Sequence, residues 1–114
     1  MTAHLPLLDL DHLHELVGDD RSLRDMLFKE FIASAQVALT QLNESLDANN
    51  NSKWREAAHG FKGICYNLGA LELGKLCHEA QLDYEQPQAV KSDLFSRIEC
   101  GFLDLEAQLI NEIQ

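Results

Sequence analysis

The sequence predicts an all-α fold, an antiparallel up-down-up-down four-helix bundle with a short N-terminal capping helix, on three observations. Apolar residues recur at three-to-four spacing through five successive segments, the pattern of amphipathic helices. The two prolines are Pro6 and Pro87, so the stretch between them contains no obligatory helix breaker. The connections between periodic segments are only a few residues long, which makes successive helices antiparallel neighbours.

The first helix is expected over about residues 10–17, from Asp9 as N-cap to Gly18 as C-terminal stop, with Leu10, Leu13, Leu16 and Val17 inward. The second, over about 20–47, takes Asp19 or Asp20 as its cap. Its stripe is Leu23, Leu27, Phe31, Ala35, Ala38, Leu42 and Leu46. Asn49, Asn50 and Asn51 form a loop, and Ser52 is positioned to cap the third helix, over about 53–68. That helix turns Trp54, Ala57, Ala58, Phe61, Ile64, Cys65 and Leu68 inward and stops at Gly69. The fourth, over about 70–84, buries Leu73, Leu76, Cys77, Ala80 and Tyr84. Pro87 suits the start of the fifth, over about 88–113, where Val90, Leu94, Ile98, Phe102, Leu105, Leu109 and Ile113 keep the spacing.

The chain has 114 residues, 46% of them apolar and 25% charged, the composition of one globular domain spanning residues 1–114. Its formal charge of −10 argues against nucleic acid, which needs clustered positive charge. No apolar run reaches the ~18 residues of a membrane helix, and the start MTAHLPLLDLDHLHEL lacks the basic n-region of a signal peptide. Cys65, Cys77 and Cys100 are odd in number and in no CxxC arrangement, so reduced thiols and a cytoplasmic location are expected. Cys77 and Cys100 read as small buried hydrophobes. Metal ligation is not expected: Cys77 and His78 are adjacent, His12 and His14 are two apart, and neither pair shares a helix face. Met1 and the full set of helices are what a free-standing protein would show.

The third helix concentrates the chemistry. At about 100° per residue, with Phe61 at the centre of the inward face, His59 falls about 160° away, almost diametrically opposite. Gly63 lies about 40° round from His59 one turn on, and Lys62 flanks the same side at about 100°. Gly60 and Gly63 each cost about 1 kcal/mol relative to Ala inside a helix. At i+4 from His59, Gly63 clears volume beside the imidazole, and Lys62 at i+3 can bring an ammonium to the same spot. An exposed imidazole, a nearby cation and missing side-chain bulk make a seat for a phosphoryl group. Tyr66, at about 140°, is either an exposed docking contact or a side chain packed on the neighbouring helix.

Ala58-His59-Gly60-Phe61-Lys62-Gly63, then Asn67-Leu68-Gly69-Ala70, then Leu73, Leu76 and Cys77 resemble the signature of histidine-containing phosphotransfer domains, roughly A-H-x-[LF]-K-G followed by L-G-A. The resemblance covers nearly the whole chain, since Leu16–Asp20 and the region from Phe28 to Phe31 also look like that family's approach to its second helix. It implies that His59 accepts the phosphoryl group, Lys62 helps hold it and Gly63 gives it access. Two departures stand out: Gly60, where many members carry Thr or another side chain, and Ala80-Gln81, where many carry Leu-Glu. Gln81 becomes a candidate for a supporting contact.

What the resemblance implies is a phosphorelay intermediate moving a phosphoryl group between aspartates of response-regulator receiver domains, with a hybrid histidine kinase as a further partner. A loose transition state needs in-line positioning and charge neutralisation more than covalent help, and a neutral imidazole nitrogen is a competent nucleophile near pH 7. The sequence has no GxxxxGK[ST] or GxGxxG loop and no clustered acidic pocket for Mg²⁺. A phosphocarrier, not a self-sufficient enzyme, is therefore expected, without cofactor of its own and with Mg²⁺ supplied by the partner receiver. A non-phosphorylated helical adaptor that binds receiver domains or other signalling proteins is the alternative. A metal or redox bundle would need inward Glu-x-x-His pairs, which the stripes lack.

Charge is unevenly distributed. Residues 1–51 and 69–114 each carry a net of −6, whereas residues 52–68 hold Lys53, Arg55 and Lys62 against Glu56 alone, a net of +2. The positive segment of an acidic chain is the helix that bears His59, where an anion is best received.

Overall fold

A computed structural model describes residues 8–113. The chain folds there into five helices: α1 (Leu10–Val17), α2 (Arg21–Asp47), α3 (Asn51–Leu68), α4 (Leu71–Leu82) and α5 (Gln88–Ile113). The first seven residues of the N-terminal stretch read for a leader, Pro6 among them, lie outside the described residues. The helices α2 to α5 pack in sequence order, and contact between α5 and α2 closes the ring. Phe28, Phe31 and Leu42 of α2, Trp54 and Phe61 of α3, Cys77 of α4, and Ile98 and Phe102 of α5 fill the centre.

Local chemistry sets the boundaries. Asp20, not Asp19, caps α2, its Oδ1 accepting the Leu23 N–H at 2.9 Å. Between α2 and α3 the chain turns on Asn49, whose φ of 53° is left-handed backbone that Asn tolerates. Asn50 then caps α3 by accepting the Lys53 N–H at 3.0 Å. The helix therefore starts at Asn51, two residues ahead of the predicted start, and Ser52 lies in its first turn instead of capping it. At the other end Gly69 adopts φ 93°, and the N–H groups of Gly69 and Ala70 both donate to the Cys65 carbonyl, ending the helix in a left-handed cap. Helix α4 begins at Leu71 without a side-chain cap and ends at Leu82. It stops short of Tyr84: the backbone leaves the helix at Asp83, whose N–H still donates to the Glu79 carbonyl, and a turn closed by the Gln86 N–H on the Asp83 carbonyl follows.

Helix α1 covers the α3–α4 corner. The Asp9 N–H donates to the Gly69 carbonyl at 2.8 Å, and His12 Nε2 bonds to the Asn67 carbonyl at 3.0 Å. A Cβ on Gly69 would come within 3.1 Å of the His12 ring, so glycine serves here both the backbone and the close approach.

Several inward assignments are corrected. Leu10 is 65% exposed and Leu16 45%, because so short a helix buries only Leu13 and Val17. Val90 is exposed in the first turn of α5, and the next residue, Lys91, faces in instead, 1% exposed. Cys100 is exposed. It lies two residues from both Ile98 and Phe102, about 200° round the helix from each. Cys65 and Cys77 are buried.

Candidate functional site

Helix α3 lies between α2 and α4, and its outer residues divide between these neighbours. On the α2 side, Gly60 and Ile64 line a groove with Ser34 and Val37. Through Ser34 and Ile64 it continues into an apolar groove of about 330 Å³ walled by Leu16, Leu27 and Phe31, with Glu30 at its edge. On the α4 side, the Lys62 Nζ lies 3.5 Å from His78 Nδ1, and the Tyr66 ring covers Gly74, where an added Cβ would collide with it. His59 and Gly63 are exposed between these flanks. A Cβ at Gly63, or at Gly60, would meet nothing within 4 Å, so the space beside the imidazole is open.

The two readings of Tyr66 both hold in part: its ring packs on Gly74, yet the residue is 38% exposed. Lys62 is half-buried and, among the described residues, forms no ion pair. Its ammonium leans on α4 through His78. Gln81 is half-buried on α4, and its Oε1 is buried without a hydrogen-bond partner among the described residues. The contacts Lys62–His78 and Tyr66–Gly74 are equidistant in sequence from Ala70. Continued by one step, that register sets Gln81 across from His59, with no bond between them.

Two residues escaped the sequence reading. In the sequence His78 stands beside Cys77, with which it shares no helix face. Counting outward from the Gly69–Ala70 turn would have paired it with Lys62, since helices joined by a tight turn meet in such a register. Lys91 carried no signal, because a lysine next to an apolar stripe normally reaches solvent. The buried Cys65 thiol offers no chemistry: its hydrogen bond to Cys77 and its burial push its pKa far up, which keeps it protonated and inert. Among the described residues no group of three or more His, Cys, Asp or Glu converges to hold a metal ion, and no helix is long and apolar enough to cross a membrane.

The family model for the Hpt domain matches residues 26–113. The chain belongs to the Hpt domain family. The crystal structure of histidine-containing phosphotransfer protein B (HptB) from Pseudomonas aeruginosa PAO1 is similar to it, with a TM-score of 0.88 and 25% sequence identity over 97% of each chain. No curated protein matches. As an Hpt protein the chain is a histidine phosphotransfer intermediate of phosphorelays. The family match starts inside α2, so α1 lies outside it, whereas the similarity to HptB extends over nearly the whole chain.

Proposed function

We propose that His59 is the phosphoryl-carrying residue of this Hpt protein, loaded from an aspartyl phosphate of one receiver domain and unloaded onto the aspartate of another. The observation that carries this reading is an exposed imidazole on the outer face of α3, with open space at Gly63 and one half-buried ammonium three residues away. In the loading step an imidazole nitrogen lone pair forms the N–P bond as the P–O bond to the aspartate breaks. The electron pair leaves with the carboxylate, and the imidazole retains its proton on the other nitrogen until solvent takes it. Lys62 offsets charge on the phosphoryl oxygens as they pass.

The receiver seats over the α2–α3 groove, whose apolar wall begins at Gly60, next to His59, with the exposed part of Tyr66 on its other side. Transient signalling contacts need only modest area. Mg²⁺ and the remaining catalytic groups come with the receiver, which makes this chain a carrier and not an enzyme. Its site of action is the cytoplasm. The test is incubation of the full chain with phosphorylated receiver domains of its source organism. An acid-labile, base-stable phosphate on the chain supports the assignment, and absence of transfer from every receiver overturns it.

The glycines give a second prediction. Gly60→Ala and Gly63→Ala should each raise stability by about 0.5–1 kcal/mol in urea unfolding, because a helical Cβ is gained with no clash. At Gly63 the gain should come with slower transfer, measured by single-turnover labelling, because the methyl group narrows the approach to His59.

A further inference from the structure

We infer that His78 is a positioning residue of the phosphohistidine site, holding the Lys62 ammonium in place without neutralising it. This rests on the assignment of His59 above. The geometry is a contact across the α3–α4 seam, Lys62 Nζ to His78 Nδ1 at 3.5 Å. A lysine ammonium has three donors and no acceptor, so it is attracted only to an Nδ1 that presents its lone pair, as in a neutral imidazole. No carboxylate pairs with Lys62 among the described residues.

The choice of partner matters chemically. A carboxylate opposite Lys62 would fix the side chain equally well but cancel its charge before any phosphoryl group arrived. With no partner, the four-carbon stem would sample many rotamers, and ordering it would fall to the transfer step. A neutral acceptor does neither. It restricts the ammonium to the α4 flank of His59, three residues along the helix, and leaves its full charge for the incoming anion. Tyr66 on Gly74, one turn further on, holds the two helices in the register that this contact requires.

The test compares loading rates from a phosphorylated receiver, with thermal unfolding measured in parallel. His78→Leu should slow loading about tenfold with an unchanged melt. His78→Asn, whose Oδ1 can replace Nδ1 as a neutral acceptor, should restore most of the rate. His78→Glu should be at least as slow as His78→Leu, because it captures the charge of Lys62. In a Lys62→Ala background His78→Leu should cost nothing further, since its effect passes through that ammonium. Parental rates in His78→Leu, no rescue by Asn, or an equal loss without Lys62 would each overturn the inference while the His59 assignment stands. A wild-type chain that takes no phosphoryl group at all removes both.

Discussion

His59→Gln is expected to abolish labelling from a phosphorylated receiver, a loss of about 10³-fold or more, while stability stays within about 0.5 kcal/mol of the parent. The two halves of this expectation have separate causes. His59 is exposed on α3, almost opposite Phe61, so no core packing depends on it. Gln is also a good helix former. Its amide nitrogen, however, has its lone pair delocalised into the carbonyl and cannot form the N–P bond. Intact-mass analysis at neutral pH reads the loss of label, and a thermal melt reads the fold. A variant that still acquires an acid-labile, base-stable phosphate would place the acceptor at another side-chain nitrogen, with exposed His78 as one candidate.

What could be read from the sequence, and what could not, follows from the range of the forces involved. The three-to-four stripes of α2, α3 and α5 were legible because each long helix repeats its apolar face over many turns. The exposure of His59 followed from angle alone, since Phe61 and Trp54 fix the inward face of α3. Short elements lacked that redundancy. The eight residues of α1 could not show that Leu10 and Leu16 stay exposed, and a single asparagine at φ 53° moved the start of α3 from Lys53 back to Asn51. Contacts between helices were the least visible. Lys62 with His78, and Lys91 with Trp54, depend on how neighbouring helices slide past one another, which no one helix encodes. The candidate site was thus half legible: the nucleophile and its clearance were read within one helix, whereas the partner of its cation lies on the next.

Trp54→Ala is expected to lower stability by about 3–5 kcal/mol, a fall in melting temperature on the order of 10–20 °C for a chain of this size. Trp54 is fully buried, and its Nε1–H donates to the Ala80 carbonyl at 2.8 Å. That carbonyl lies in the last turn of α4, where no intrahelical donor remains to satisfy it. The Lys91 ammonium lies 5.6 Å from the centroid of the same ring and donates to Asn51 Oδ1 and to the Tyr84 carbonyl. Burial lowers its pKa, so the ring face and these two oxygens offset part of the cost of keeping it charged inside. Removing the indole therefore opens a cavity, strands a helix-end carbonyl and deprives a buried cation of one partner. Trp54→Phe separates these effects: most of the apolar area and the ring face remain, and the lost hydrogen bond alone should cost about 1–2 kcal/mol. Trp54→Ala combined with Lys91→Met should be less destabilising than the sum of the two, since the cation left exposed to the cavity is gone. Urea midpoints measure all three. Trp54 points inward while His59 points out, so below its melting temperature the Trp54→Ala chain should still be loaded at His59. A Trp54→Ala melt within a few degrees of the parent would show that the α4–α5 corner is held by something other than this indole.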